Sequence, residues 1–507
     1  MLLGWVKLKP GTMREVGIKR FGLTPLAHIP HLPFRAVVKT WILGLAAALV
    51  LFVGEATGSA LSKQNVSIPM DDGASISATL YVPDGAAPAG GWPAIVFLHG
   101  LAGNKEQMNA LIEGFGFVGQ SYVVLSFDAR GHGQSGGLVS IDGPREIADT
   151  RAVHAWLAAR PDVADAKIGA WGISYGGGAV FNSLVAGVPW GAVVTVETWT
   201  DLYTALLPQG LVKSGLVAGL AGSIPEAKRD PSLAPIQAAA FAGNAAAVRP
   251  WAAERSSLAK LGSVTTPVFM AQGRRDFLFG IDQASLAFKR LKGPKLLYLG
   301  LHGHAPSTFP AADTGFLMAQ VRSWFDCHLG ASPCSRAPTA FALAPEGFKS
   351  GQLPFTTSQP GTTPSSVAFP GVTTFAKTGK SARTSARLGK AIEVYGSPTV
   401  SITIAASGGW SRLVAVLTAR TPQGKEIVVS AGGVPTKNGV QKVSIKLASQ
   451  ATFIPRGSRL TLTLASSTLA QSSSNLLYLD LPMAPSARVR VGNAVLAIPG
   501  LRKPVTK

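Results

Sequence analysis

Cysteine is nearly missing from this chain: 507 residues hold two, Cys327 and Cys334. Neither a C-x-x-C nor an H-E-x-x-H spacing occurs, so a metal site built from these thiols with His302, His304 or His328 has no motif behind it, and no metal or cofactor is expected. In an oxidising compartment the closely spaced pair is instead a candidate local disulfide. Acidic residues are also scarce, 26 against 47 Lys and Arg, and the formal net charge is +21. Such a balance can signal nucleic acid or an anionic surface as partner, but no basic run interleaved with aromatics is present, and no nucleic-acid partner is expected. Gly100 to Lys105 is glycine-containing yet lacks the G-x-x-x-x-G-K-[ST] spacing of a phosphate loop. No internal repeat is found. What remains, 47% apolar and 14% charged, has the composition of a globular protein, and its length calls for two domains.

The N-terminus bears on location. Residues 1–60 carry seven basic side chains (Lys7, Lys9, Arg14, Lys19, Arg20, Arg35 and Lys39), then an uninterrupted apolar stretch from Trp41 to Val53, then Gly58-Ser59-Ala60. This is the order of a secretory signal peptide, with cleavage expected after Ala60. Extended back to about residue 36, the segment 36–54 could serve as an uncleaved membrane anchor. Either way the body of the chain is expected outside the cytoplasm, extracellular or in the cell envelope.

From about Ser67 to Leu329, short apolar runs alternate with Ala-rich helical patterns. Ala94–Leu98, Tyr122–Phe127, Ile168–Trp171, Ala192–Val196, Val268–Ala271 and Lys295–Leu299 read as strands of a parallel sheet buried on both faces. Pro144–Ala159 and Gly315–His328 read as helices. Between Asp201 and Leu261 the rhythm breaks into an Ala/Leu/Pro-rich stretch where a helical cap is expected. After Cys334 the composition turns to Ser, Thr, Val and Gly: a low-complexity stretch from about Thr356 to Ser385 precedes alternating strands at Thr399–Ala405, Leu413–Ala419, Val443–Leu447 and Arg459–Ala465. Evenly spaced short strands predict a β-sandwich, jelly-roll-like. The expected division is a leader at 1–60, an α/β domain at 61–335 with its cap at about 204–262, and a β domain at 336–507.

The sharpest motif is Gly172-Ile173-Ser174-Tyr175-Gly176-Gly177, between the strand ending at Trp171 and an Ala-rich helix. This is a G-x-S-x-G nucleophile elbow in strand-turn-helix context, and it nominates Ser174. A serine hydroxyl needs a histidine base and a carboxylate to orient that base, and in this fold they follow in the order acid, histidine. Asp276, in the loop after Val268–Ala271, is preferred over Asp282, which is placed to cap the next helix. Of the later histidines, His302 and His304 share a loop after Lys295–Leu299, whereas His328 lies at a helix end. Backbone N–H groups of Leu101 and Tyr175 are the expected oxyanion donors.

These motifs resemble those of the X-prolyl dipeptidyl aminopeptidase and cocaine esterase family of α/β-hydrolases. The likeness takes in Asp128 to Gly136, the elbow at Ser174, Glu197 to Tyr203, the loop at Asp276, Gly300 to His304, Trp324-Phe325-Asp326 and Phe453 to Leu460. It implies His304 rather than His302 as base, a helical cap and a jelly-roll domain. It also brings forward Glu197 and Asp201 as substrate-binding acids for a free amino terminus, with a helix cap and a loop acceptor as their plainer roles. One departure bears on substrate: members of the family often offer a tyrosine hydroxyl to the oxyanion, whereas this chain has His99-Gly100-Leu101. The expected partner is a small ester or peptide, cleaved by an exported serine hydrolase that is X-Pro dipeptidyl-peptidase-like or an acyl esterase. The alternative is a non-catalytic cell-envelope binding protein on the same scaffold.

Overall fold

The computed structural model describes residues 62–503 and 505, apart from 119–120, 331–333, 335–336, 350, 371–372 and 377–379. The leader, with its candidate anchor at 36–54, lies outside the described residues. Among the described residues no helix is long and apolar enough to cross a membrane.

The first domain is built on nine strands: β1 (Ser62–Pro69), β2 (Ser75–Val82), β3 (Trp92–Leu98), β4 (Val123–Phe127), β5 (Val163–Ile173), β6 (Ala192–Val196), β7 (Val268–Gly273), β8 (Lys295–Gly300) and β9 (Thr339–Leu343), in spatial order 1-2-4-3-5-6-7-8-9. β1 and β2 are antiparallel, and from β4 onward all neighbours run parallel. Every residue of β4 and β6 is buried, because helices cover both faces and leave no wet side on which polar residues would alternate. Two apolar cores result, one centred on Leu125, Ile168 and Leu297 and the other on Phe97, Trp171 and Phe269. The order reverses around β3, and in such sheets the crevice at the strands' carboxyl ends beside the reversal is where ligands bind. The elbow at the end of β5 opens there.

Two sequence expectations need correcting. The sheet does not stop at residue 335, since β9 extends it beside β8 after the Cys327–Cys334 disulfide has turned the chain. The low-complexity stretch 356–385, in which no strand is read from sequence, supplies β10 (Thr362–Phe369), β11 (Thr373–Ala376) and most of β12 (Ser381–Arg387). β10 is largely exposed, so its Ser/Thr-rich sequence carries no hydrophobic period, and its partner, the long β20, determines its conformation.

The remaining strands are β13 (Ile392–Gly396), β14 (Thr399–Ser407), β15 (Arg412–Arg420), β16 (Glu426–Pro435), β17 (Gly439–Lys446), β18 (Gln450–Ile454), β19 (Arg459–Ala465) and β20 (Arg488–Leu501). One sheet runs 17-14-20-13-18 with β10 and β11 also on β20, and the other runs 12-19-15-16. β20 alternates buried and exposed along its length, the period-2 pattern of a strand with one wet face. Its buried residues, among them Val489, Leu496 and Ile498, meet Leu417 and Leu462 in the sandwich core.

The sandwich is bonded to the hydrolase domain at the loop after β7. Arg274, fully buried, donates to Glu393 of β13 at 2.6 Å and to the carbonyls of Ala344 and Ala451. Ala451 N–H donates to the Arg274 carbonyl at 2.7 Å, and Gln450 Nε2 donates to the Asp276 carbonyl at 2.8 Å. The cap consists of helices at Leu202–Leu206, Ser214–Ser223, Leu233–Phe241 and Ala245–Ala253. Leu207, Leu216 and Val248 of the cap pack in one cluster with Val414, Val416 and Tyr478 of the sandwich.

Candidate active site

Ser174 closes β5 and opens the helix Tyr175–Val185 with φ +52° and ψ −113°, a conformation that costs a non-glycine residue roughly 1–3 kcal/mol. The surroundings hold it there. Ser174 N–H donates to the Val196 carbonyl at 2.8 Å, and Thr198 Oγ1 donates to the Ser174 carbonyl at 2.7 Å. The flanking glycines are sterically required: a Cβ on Gly172 would strike the backbone of Gly176, and one on Gly176 would strike the backbone of Leu98. The residue spacing of the elbow is thus a consequence of three backbone segments meeting at one point.

The loop after β7 brings in Asp276, fully buried. Its Oδ1 accepts the N–H groups of Leu278 and Phe279, both at 2.9 Å, which fixes the carboxylate plane. Lys213 of the cap, also buried, donates to the carbonyls of Phe277 at 2.9 Å and Leu278 at 2.8 Å and clamps the same loop; burial lowers its pKa to about 8. The loop after β8 brings in His304. Its Nδ1 lies 2.7 Å from Asp276 Oδ2, which also accepts the His304 backbone N–H at 3.2 Å, and its Nε2 lies 2.9 Å from Ser174 Oγ. Burial disfavours the imidazolium, but the charge and hydrogen bond of Asp276, with help from Glu197, outweigh it and raise the His304 pKa above the usual histidine value.

His302, the other histidine of this loop, is turned away from Ser174. Its Nδ1 is 2.6 Å from Asp313 Oδ2, and Asp313 also accepts the N–H groups of Leu301 and His302 and the hydroxyl of Tyr298. Burial works against the Asp313 anion, yet His302 and these donors hold its pKa below the ordinary carboxylate value. This second His–Asp pair anchors the loop that presents His304. Sequence reasoning had no sign of Asp313, which lies in the first turn of the helix Ala311–His328.

Leu101 and Tyr175 line the same cavity as Ser174. Tyr175 is the first residue of its helix, so its N–H has no intrahelical acceptor and sits at the positive end of the helix dipole. The loop carrying Leu101 closes on Ser174: a Cβ on Gly100 would lie 3.7 Å from Ser174 Cβ. His99 beneath it is buried, with Nδ1 2.7 Å from the Gly100 carbonyl and Nε2 accepting Ala129 N–H at 2.9 Å; burial lowers its pKa to about 3, so it braces the loop as a neutral ring. The Tyr175 hydroxyl reaches down to the buried Glu146, which also accepts the N–H groups of Ser140 and Asp142.

Glu197 directly follows β6 with φ +50° and is 2% exposed. Its Oε2 is 3.9 Å from His304 Nδ1, and its Oε1 has no hydrogen-bond partner among the described residues. Burial raises its pKa to about 7, partly offset by His302 and His304. Asp201 caps the helix Leu202–Leu206 by accepting Thr204 N–H at 3.1 Å. Neither is among the described residues that line the cavity beside Ser174. Glu197, Asp276 and His304 could offer donors to a metal ion, but every oxygen of Asp276 already accepts an N–H. Cys327 and Cys334 are joined to each other, which removes the thiolates that a metal site with His328 would use.

Above Ser174 the cap encloses a cavity of about 420 Å³ bounded by Leu101, Ile141, Trp199, Leu220, Trp251 and Phe279 among others. The sequence foretold a cap but not which residues line the cavity, since they come from loops and helices brought together only by folding.

Residues 72–306 match the model of the X-Pro dipeptidyl-peptidase (S15) family. The fold is similar to that of a CocE/NonD family hydrolase from Staphylococcus aureus, with TM-score 0.67 and 14% identity over 88% of this chain and 98% of that one. It is also similar to that of an α-amino acid ester hydrolase, with TM-score 0.62 and 15% identity over 89% and 100%. A curated relative, the quorum-quenching protein AidA of Acinetobacter baumannii (strain MDR-ZJ06), is 29% identical over 154 residues, 29% of this chain. The chain spans about half the length of that relative, 49%. The S15 match over residues 72–306 and the fold shared with these hydrolases make the chain similar to the X-Pro dipeptidyl-peptidase and cocaine esterase family of α/β-hydrolases.

Proposed function

We propose that this protein is an exported serine hydrolase that transfers an acyl group from an ester or amide to water through Ser174, His304 and Asp276. The observation that carries this reading is the unbroken relay from Ser174 Oγ to His304 Nε2 and from His304 Nδ1 to Asp276 Oδ2, at 2.9 and 2.7 Å. Ser174 Oγ attacks the carbonyl carbon while His304 Nε2 takes its proton, and Asp276 keeps the proton-bearing Nδ1 in place and stabilises the imidazolium. The backbone N–H groups of Leu101 and Tyr175 stabilise the oxyanion without reorganising. The imidazolium then protonates the departing alcohol or amine. Water, deprotonated by the same histidine, attacks the acyl-serine and releases the acid.

Export is supported by the basic-then-apolar order of residues 1–60 and by the Cys327–Cys334 disulfide, a bond that persists in oxidising compartments. The test of the chemistry is hydrolysis of p-nitrophenyl acetate and of an Ala-Pro p-nitroanilide by residues 61–507, each beside Ser174→Ala. Turnover of either that vanishes in the variant supports the serine mechanism. If neither is cleaved and a fluorophosphonate probe fails to label Ser174, the scaffold reading replaces it.

A further inference from the structure

The cavity under the cap leads to a statement about substrate. It rests on the serine-hydrolase reading and deepens it: we propose that the site takes esters whose acyl group is an uncharged, apolar chain of medium length, seated in the cap cavity.

Position identifies the half of the substrate. In acyl transfer the leaving group departs toward the histidine that protonates it, so the acyl half extends from the reacting carbon on the side away from that histidine. Ser174, Leu101 and Tyr175 line the cavity, whereas His304 is not among its described lining residues. Phe279 stands between, lining the cavity while its ring meets the His304 imidazole edge-on at 5.4 Å between centroids. A group that fills the cavity is therefore on the acyl side of the scissile bond.

Chemistry identifies the class. Leu206, Val217, Leu220, Ile224, Ile236 and Trp251 form walls that offer dispersion and desolvation, and the cation that lines the cavity, Arg229, already donates Nε and Nη2 to the Ile224 carbonyl. The carboxylates that do line it, Glu226 and Asp230, stand at the wet rim: Glu226 is exposed, and Asp230 Oδ1 already accepts both the N–H and the hydroxyl of Ser232. Glu197, buried 3.9 Å from His304 Nδ1, is not among the described lining residues. An α-ammonium group carried into this cavity would lose its hydration with no buried anion among the described lining residues to replace it. A volume of about 420 Å³ lies within the range of small-molecule pockets and exceeds what an acetyl group fills.

The experiment is a kcat/KM series on p-nitrophenyl acetate, butyrate, hexanoate, octanoate and dodecanoate, with Ala-Pro p-nitroanilide alongside, using residues 61–507. Full burial of each added methylene corresponds to roughly a 4-fold gain, so kcat/KM is expected to climb from acetate through at least hexanoate and to level or fall once the cavity is filled. Val217→Trp, which occupies cavity space, is expected to lower the octanoate-to-acetate ratio at least tenfold. A series that is flat or falls from acetate onward, or an anilide hydrolysed faster than octanoate, overturns the proposal while leaving the serine mechanism intact. If no substrate is turned over and Ser174 is not labelled by a fluorophosphonate, the serine reading itself fails and the acyl class falls with it. Should Val217→Trp not fold, the wild-type series decides alone.

Discussion

Glu393→Gln is the substitution whose effect the structure defines most fully. Arg274 and Glu393 are both fully buried, 2.6 Å apart, and join the loop of Asp276 to the sandwich. Two ions out of water are stable only through each other and through the hydrogen bonds that satisfy their remaining atoms. Arg274 has such bonds to Ala344 and Ala451, but a guanidinium cannot release its proton, so removing the Glu393 charge leaves a buried cation without a buried counter-charge. Breaking a buried pair costs about 3–5 kcal/mol; because the amide keeps one acceptor for Arg274, the loss is expected near the lower end, ~3 kcal/mol. Glu346 provides the control, since it lies 3.7 Å from the same guanidinium but is 34% exposed. Glu346→Gln is expected to cost no more than about 1 kcal/mol. The assay is urea unfolding of residues 61–507 followed by tryptophan fluorescence, with the double variant Arg274→Met/Glu393→Leu as third arm. Because a buried pair is replaceable by apolar groups, the double variant is expected to recover most of the loss, to within ~1 kcal/mol of wild type. A Glu393→Gln loss below about 1 kcal/mol, or a double variant no more stable than the single, would refute the reasoning.

Two further substitutions test separate parts of the molecule. Glu197→Gln removes a carboxylate that favours the His304 imidazolium; the base then loses its proton at lower pH, so the acid limb of kcat/KM is expected to move to lower pH while the Ser174 relay stays in place. An acid limb that stays put or moves to higher pH would show that Glu197 does not act on His304. Cys327→Ser/Cys334→Ser opens a ring of sequence separation 7, for which loop closure predicts a loss of ~2–3 kcal/mol. The same shift is expected on reducing the wild type, and an unchanged urea midpoint in both would show that the ring contributes nothing.

The parts of the site that were legible are those encoded locally. The elbow could be read because the constraints on it fall on six consecutive residues, even where the crowding backbone is that of Leu98: side chains are excluded at Gly172 and Gly176, and a strand and a helix flank them. Buried parallel strands such as Ala192–Val196 could be read because burial on both faces leaves uniformly apolar runs. β1 could not, since seven of its eight residues are at least partly wetted on a sheet edge and Ser62 to Ser67 hold a single aliphatic side chain. The order of the acid and the histidine narrowed the choice to two loops, but His302 and His304 carry the same chemistry two residues apart. What separates them is Asp313, which ties down His302 from a helix that begins after the loop has ended.

The illegible part has a common physical origin. Asp276 is held by Gln450 and, through Arg274, by Glu393 and Ala451, partners between 119 and 177 residues away in sequence. A motif records what a residue needs from its immediate neighbours; it does not record which distant backbone carbonyl accepts its guanidinium. Asp276 reads in sequence as one carboxylate in a turn, and in the fold its loop is the point where hydrolase domain, cap and sandwich are bonded together, with Lys213 reaching it from the cap. The sandwich is therefore more than an appendage to a self-sufficient hydrolase. The backbone of the loop that carries Asp276 is held by the β domain, and cutting the chain after β9 would expose Arg274 and the Asp276 carbonyl to water in place of the bonds that now fix them.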